Sequence, residues 1–337
     1  MTRLIALLTI SVLLGAPGLY ADFSYEQSTE ITGGVMKSAM RMAGPFAKKA
    51  NQPNLMRVVF KGARNAQIAE ETITITDIEA ETITTVEPKR KRYSVVTFEQ
   101  MRQYMEKMAA KAKQKKAERG AEVDVQMKVE ETGETKTIAG RDARAYKMIV
   151  QMQGKDPQSG QAGTIEMKMT SWMVDPESGY DEVQRYYQAY GQKLNWAPGS
   201  AWSIFSQGNP GASEGVGKFY EEAAKLKGMP VQQVMTMGPE GHESQPEGAG
   251  GEPESMGSAL KKGLGGFGGF GGFGKKKKEP EPAAQEQTGG QSGAPAALME
   301  VTVTFSNHSN ANVDASLVDT EPAGFKRVKS DIEKALD

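Results

Sequence analysis

Methionine is frequent in this chain, and its thioether can take part in metal or ligand chemistry. The 337 residues include 19 methionines, no cysteine and only two histidines. Without cysteine there are no disulfides, thiolate metal sites or cysteine nucleophiles, and two histidines exclude a site that needs three. Thioethers suit Cu(I), but Met148 and Met152, like Met167 and Met169, alternate as buried strand residues do. The pattern therefore favours a methionine-filled core, which could also adapt to an acyl chain.

Catalytic motifs are weak in this sequence. Gly263, Gly265 and Gly268 match the dinucleotide-binding fingerprint, but no strand precedes them and no helix follows, as that mechanism requires. His242 falls in a Gly- and Pro-rich stretch, and His308 falls in a predicted hairpin loop. Neither histidine has a serine or aspartate partner at a recognisable spacing. We therefore predict that the chain is not an enzyme and carries no cofactor or metal.

The N-terminal segment is typical of a secretory signal peptide. A basic start at Arg3 precedes an apolar run, Leu4 to Leu14, and helix-breaking residues then lead to the small residue Ala21. The run is too short to span a bilayer comfortably. We predict cleavage near Ala21, which makes residues 1–21 a leader and places the mature protein outside the bacterial cytoplasm, in the periplasm.

Residues 238–297 differ in composition from the rest, with 17 glycines and 6 prolines in 60 positions. Such a segment buries too little apolar surface to offset its ordering entropy, which predicts a disordered inserted linker. Within it, three Gly-Gly-Phe units precede Lys275, Lys276, Lys277 and Lys278. The alternative function, a structural or envelope-interaction module, would act through this loop at an anionic surface. The net charge of −1 gives no general attraction to nucleic acid, so we predict no such partner.

Apolar and polar residues alternate in many segments of the remaining chain, 22–237 plus 298–337, which indicates β-strands. The segments begin near Phe23, Leu55, Ile73, Tyr93, Val123, Tyr146, Ile165 and Leu298. Apolar stripes at helical spacing predict helices at 101–119, 183–194 and 216–226, with a last turn at 331–336. The fold class is therefore α+β: one domain with a large, mostly antiparallel sheet that has one wet face and one buried face covered by helices. Strand 298–305 should complete the sheet formed by residues 22–237.

Methionine and tyrosine dominate the predicted buried faces. If the interior admits an apolar or amphipathic ligand, such as a lipid or the acyl chain of a lipoprotein, these side chains would line it. The predicted lining residues are Met127, Met148, Met152, Met167, Met169, Tyr186, Tyr190 and Phe219. A packed core is the alternative for the same residues.

Several short motifs resemble an uncharacterised family of exported bacterial domains that is similar to the lipoprotein-carrier (LolA- and LppX-like) folds. They are Gly140-Arg-Asp-Ala-Arg-Ala-Tyr146, Trp172-Met-Val-Asp175, Lys227-Gly-Met-Pro-Val231, Val313-Asp-Ala-Ser-Leu317 and Pro322-Ala-Gly-Phe325-Lys-Arg-Val328. Val318 stands where that family's closing motif has an aromatic residue. The resemblance implies a strongly curved sheet, an open half-barrel, with about three helices on its concave face and an apolar cavity. It also implies lipid or lipoprotein handling, without assigning any ligand residue.

Overall fold

The structure is a computed structural model that describes residues 22–42, 52–119, 122–155, 162–194, 228–243 and 296–337. It contains twelve strands: β1 Phe23–Gly33, β2 Asn54–Lys61, β3 Arg64–Ile68, β4 Ile73–Asp77, β5 Thr82–Glu87, β6 Arg92–Thr97, β7 Glu122–Ile138, β8 Arg141–Lys155, β9 Ala162–Val174, β10 Met229–Pro239, β11 Met299–Ser309 and β12 Lys326–Arg327. The helices in the described ranges are α1 Gly34–Met42, α2 Phe98–Arg119, α3 Tyr180–Leu194 and α4 Asp331–Leu336.

All twelve strands form one open sheet in the order β12-β6-β5-β4-β3-β2-β1-β11-β10-β9-β8-β7. Every pairing is antiparallel except that of β12 with β6. The fold is therefore α+β with a large, mostly antiparallel sheet, as predicted. β11 lies between β1 and β10, so the strand predicted after residue 297 joins the two halves of the sheet.

Local sequence explains the tight connections between neighbouring strands. Ala139 and Gly140 both have positive φ, 48° and 78°, which is the geometry of the two-residue turn that matches strand twist. Gly62, with φ 58°, makes the turn between β2 and β3. These short turns fix the register, and with it which residues share a face.

The larger apolar face of the sheet carries two groups of buried side chains. One contains aromatic residues of β1, β2 and α3, including Phe23, Phe60 and Tyr186. The other contains methionine and valine on β8 to β11, including Met167 and Val301. Phe305 packs against both groups, so the apolar face is continuous across β1 and β11.

The opposite face is also buried in part, which corrects the prediction of one wet face. Val59, Ala66 and Ile75, on β2, β3 and β4, pack with Val313 and Val318 of the C-terminal segment. The chain returns across this face after β11, where Ala315–Val318 forms a short 3-10 helix. Both faces of β2 are therefore covered, because Val58 and Phe60 pack on the other side.

The helices differ in how they pack. α3 buries Val183, Tyr186 and Tyr190 against the sheet. α2 contacts β6, α3 and α4, and its predicted apolar stripe is only partly buried, with Met108 40% exposed. α1 was not predicted, and the predicted helix 216–226 lies outside the described residues.

Candidate functional site

The candidate site is a cavity of about 160 Å³ between α3 and the sheet. Its described lining comes from β1, α3, β10 and β11: Tyr25, Gln27, Tyr180, Val183, Tyr187, Pro230, Gln233, Val303, Phe305 and His308. Strand register explains why these residues meet. Gln27 is the partner of Phe305, and Val303 is the partner of Gln233, so their side chains share one face.

The helix wall of the cavity is held in place by aromatic packing. Phe60 meets Tyr186 and Tyr187 edge-on, with ring centroids 5.3 and 5.8 Å apart. The Tyr186 hydroxyl donates a hydrogen bond to the Thr76 carbonyl oxygen at 3.2 Å, so this phenol is anchored to β4. Edge-to-face contacts of this kind restrict ring movement beyond what area burial alone achieves.

The ends of α3 are also fixed. Arg185 pairs with Asp181 and Glu182 in the first turns, at 2.6 Å each. Near the other end, Lys193 donates to the Ile78 carbonyl oxygen at 2.8 Å, and Arg102 of α2 donates to the Lys193 carbonyl oxygen at 3.1 Å. The two Arg185 pairs lie within α3 and stabilise the helix itself, whereas the Lys193 contact ties α3 to the chain after β4.

Burial raises the pKa of the phenols at the cavity further above neutral pH. It raises the pKa of Tyr25 well above 10.0, and the neighbouring Tyr187, to which Tyr25 is hydrogen-bonded, raises it further. Burial likewise raises the pKa of Tyr180 and of Tyr187. Near neutral pH these side chains are therefore uncharged rings with a hydroxyl handle.

The polar groups in the cavity wall are neutral too, and the described lining contains no Asp, Glu, Lys or Arg. Burial lowers the pKa of His308 from 6.5, against the opposing influence of Glu177, so the imidazole is neutral at pH 7. The Gln27 amide makes one long hydrogen bond, 3.4 Å to Thr29 Oγ1. No described residue hydrogen-bonds the side-chain amide of Gln233.

The predicted lining residues lie outside this cavity wall. Tyr186 and Tyr190 are in the aromatic group beside it, at 5% and 2% exposure, and stack on each other at 6.1 Å. Val183 and Tyr187, on the same predicted stripe of α3, reach the cavity instead. Phe219, and Lys275, Lys276, Lys277 and Lys278, fall outside the described residues.

The predicted methionines cluster on β7 to β10. Met148 is the register partner of Met169, and Val150 is the partner of Met167. Met148 and Met169 pack together with Met127, while Met152 and Met167 pack with Met235. The methionine, valine and isoleucine side chains of these two groups on β7 to β10, together with Met299 and Val301 of β11, form what we call the methionine face. Its eleven members are Met127, Val129, Met148, Val150, Met152, Ile165, Met167, Met169, Met235, Met299 and Val301.

His242 is not in a disordered stretch, contrary to the sequence prediction. Its side chain is fully buried on the face of β9 and β10 that is opposite to the methionine face. Nε2 lies 2.9 Å from Thr236 Oγ1, and Nδ1 lies 3.0 Å from the Pro239 carbonyl oxygen. The folded part of the chain therefore extends to residue 243, where Glu243 forms a bridge with Ala296.

Glu166 and Lys168 complete this buried polar cluster. Lys168 Nζ lies 2.9 Å from Glu166 Oε1 and donates to the His242 carbonyl oxygen at 2.7 Å. Burial alone would raise the pKa of Glu166, but hydrogen bonds from Lys168 and Gln151 lower it below 4.5. Burial lowers the pKa of His242 below 6.5. With its partners internal and its ring sealed from solvent, the cluster is suited to fix the chain after β10.

Further predictions concern residues that the structure describes. His308 lies in β11, where it contacts the rings of Phe23 and Tyr25, so the predicted hairpin loop is wrong. The described residues contain no group of three His, Asp or Glu side chains arranged to hold a metal. Among the described helices, none is long and apolar enough to cross a bilayer.

Comparisons with family models and with curated proteins gave no match to this chain. Function is therefore inferred from the cavity and from the side chains around it.

Proposed function

We propose that this protein is an exported, non-catalytic bacterial envelope protein that binds an apolar or amphipathic ligand between α3 and the sheet. The observation that carries the proposal is the cavity walled by Tyr25, Val183, Tyr187, Val303 and Phe305. Ligand sites are concave and mostly apolar, with a few polar groups that orient the ligand, and this cavity has that composition. Export is proposed from the leader-like segment 1–21.

Cavity size limits what can enter without rearrangement. Sites for drug-sized ligands have volumes of about 300–1,000 Å³, and this cavity has about 160 Å³. An apolar cavity of about 150 Å³ in another protein holds benzene. The cavity as it stands therefore suits a single ring or a short branched alkyl group.

A longer acyl chain could enter only if the side chains of the methionine face moved aside. This face adjoins the cavity through Val303 and Phe305, which pack against the methionine group as well. Methionine is unbranched and has several rotatable bonds, so its side chains can move aside at small energetic expense. In this proposal the sheet bends as an open half-barrel, as in the lipoprotein-carrier folds that the sequence resembles, and the chain lies along its concave side.

The proposal is tested by native mass spectrometry of the full chain purified without detergent from an envelope extract. We expect an adduct with the mass of a lipid, released by organic solvent. Val183→Phe should fill the cavity and reduce the adduct, while Leu55→Phe, at a position 68% exposed, should leave it unchanged. Circular dichroism checks that Val183→Phe folds, and Val303→Leu is the milder second variant. Absence of any adduct, together with no binding of added fatty acid, would contradict the proposal.

A second candidate role is adhesion to an anionic envelope surface through the Gly-Phe and lysine-rich loop. The supporting observation is that Glu243 and Ala296 pair, with Ala297 N donating to the Glu243 carbonyl oxygen at 3.2 Å. Residues 244–295 therefore leave and rejoin the sheet at one place. Deletion of residues 261–278 should abolish envelope association and leave the unfolding transition unchanged. Unaltered fractionation of this variant would reject the role.

A further inference from the structure

The cavity has one polar group, on its β10 side, that no described residue hydrogen-bonds. Gln233 lines the cavity, and its amide has no side-chain hydrogen bond within the described part of the chain. Its register partner on β9 is Ser171. Ser171 is 1% exposed, and its Oγ has no hydrogen-bond partner among the described residues.

An unpaired hydroxyl as deeply buried as that of Ser171 is unusual, whereas the Gln233 amide is half-buried at the cavity wall. Most buried side-chain polar atoms have a partner, and leaving one unpaired costs about 1–3 kcal/mol. Gln233 and Ser171 occupy directly opposite positions on β10 and β9, but of the two only Gln233 lines the cavity. A ligand that carries a hydrogen-bonding atom would give the Gln233 amide a partner.

The charge of that ligand group is restricted by the same wall. The described lining offers amides, phenols and an imidazole whose pKa is lowered by burial, and no formal charge. An ionised group would lose its hydration without gaining a counter-ion, which is strongly unfavourable. The polar atom on the ligand must therefore belong to a neutral substituent.

We propose that the cavity selects a neutral ring-sized group bearing one hydroxyl or carbonyl, with that substituent hydrogen-bonded to the Gln233 amide. The inference deepens the proposed function and rests on it. It specifies which part of an amphipathic ligand the protein binds through polar contacts. Apolar packing binds the remainder.

Three small probes test the inference on the full chain: toluene, phenol and benzoate, titrated at pH 7 by calorimetry or by NMR. Toluene and phenol have similar size and differ in the hydroxyl, and benzoate adds a charge. We expect phenol to bind about tenfold tighter than toluene, the effect of one or two net hydrogen bonds. Benzoate should show no binding.

The matched variants are Gln233→Leu and Gln232→Leu. Gln232 is the adjacent glutamine, and its side chain accepts a hydrogen bond from Lys136 at 2.7 Å outside the cavity wall. Gln233→Leu should bind toluene as before and lose the preference for phenol, while Gln232→Leu should keep it. Should Gln233→Leu fail to fold, Gln233→Asn, which shortens the amide arm, should lower the preference.

The outcomes separate this inference from the proposed function. Equal binding of toluene and phenol, or a phenol preference that survives in Gln233→Leu, overturns the polar selection and leaves the apolar site standing. No binding of either neutral probe overturns both.

Discussion

The aromatic group under α3 and the methionine face lie on the same side of one sheet, and the cavity described above lies beside the aromatic group. Phe60, Tyr186 and Tyr187 are rigid rings held edge to face and tied to β4 by a hydrogen bond. Met148, Met167 and Met169 have flexible side chains and pack closely at 2–7% exposure. Rigid walls preserve a space that flexible side chains would fill, so the void lies where the side chains cannot collapse into it.

The largest expected effect is loss of a rigid ring. Phe60 is 2% exposed and contacts Tyr25, Tyr186 and Tyr187. Phe60→Ala should lower the free energy of unfolding by about 3–5 kcal/mol, because it removes apolar contacts and leaves a cavity that stiff neighbours cannot fill. Urea unfolding followed by tyrosine fluorescence measures it. A loss below about 1 kcal/mol would mean that the ring group is not rigid.

Two glycines, Gly238 on β10 and Gly191 on α3, give a paired test of packing. A Cβ at Gly238 would lie 2.8 Å from His242 Cγ and 2.9 Å from His242 Cβ, whereas a Cβ at Gly191 in α3 would meet nothing within 4 Å. Gly238→Ala should destabilise by about 1–3 kcal/mol through displacement of the imidazole. Gly191→Ala should stabilise by about 0.5–1 kcal/mol, because alanine is the better helix former. Equal Tm values for the two variants would contradict this reading.

The buried polar cluster behind β9 and β10 predicts how stability depends on pH. The folded-state pKa of His242 is below 6.5, so the unfolded chain binds the proton first as pH falls. Stability is therefore full above pH 6.5 and declines as pH falls toward the folded-state pKa. The lowered pKa of Glu166 extends the decline below pH 4.5, where its ion pair with Lys168 is lost.

Protonation of His308 also lowers the stability of the fold as the pH falls, because burial lowers the pKa of this residue too. His242→Gln and His308→Gln should each flatten part of the slope between pH 6.5 and 5, and the double variant should flatten it most. Thermal unfolding in buffers of matched ionic strength measures the slopes. A wild-type Tm that rises on acidification through this window would show the sign to be wrong.

The smallest expected effect is a change within the methionine face. Met167→Leu nearly conserves volume at a position 2% exposed, and the flexible neighbours can adjust. We expect a loss of less than about 1.5 kcal/mol. A loss comparable to that of Phe60→Ala, measured in the same urea titration, would remove the distinction between the two regions.

Sequence patterns predicted the strands well, because alternation at i and i+2 is a local property. Met148, Met152, Met167 and Met169 were assigned to buried strand positions and are buried. That β11 joins the sheet also followed, since the tail is too short to fold alone, but its place between β1 and β10 was not predicted. β3 and β5 were missed, because Arg64–Ile68 and Thr82–Glu87 are short and carry few apolar residues.

The cavity could not be predicted from the same patterns. It depends on space left between Tyr187 of α3 and Phe305 of β11, which are far apart in sequence. One local indication was available: Gln233 interrupts an otherwise apolar alternation between Val231 and Met235. The burial of His242 had no such indication, because its surroundings are rich in Gly and Pro and its partner Glu166 is brought near only by sheet pairing.

The most direct test of ligand binding under α3 is an NOE experiment on the full chain with methyl-labelled valine and added toluene. Bound toluene should show intermolecular NOEs to the methyl groups of Val183 and Val303, which line the cavity. Val174, which is buried at 1% exposure outside the described lining, should show none. Toluene that binds without contacting Val183 or Val303, or that does not bind at all, would contradict a ligand site between α3 and the sheet.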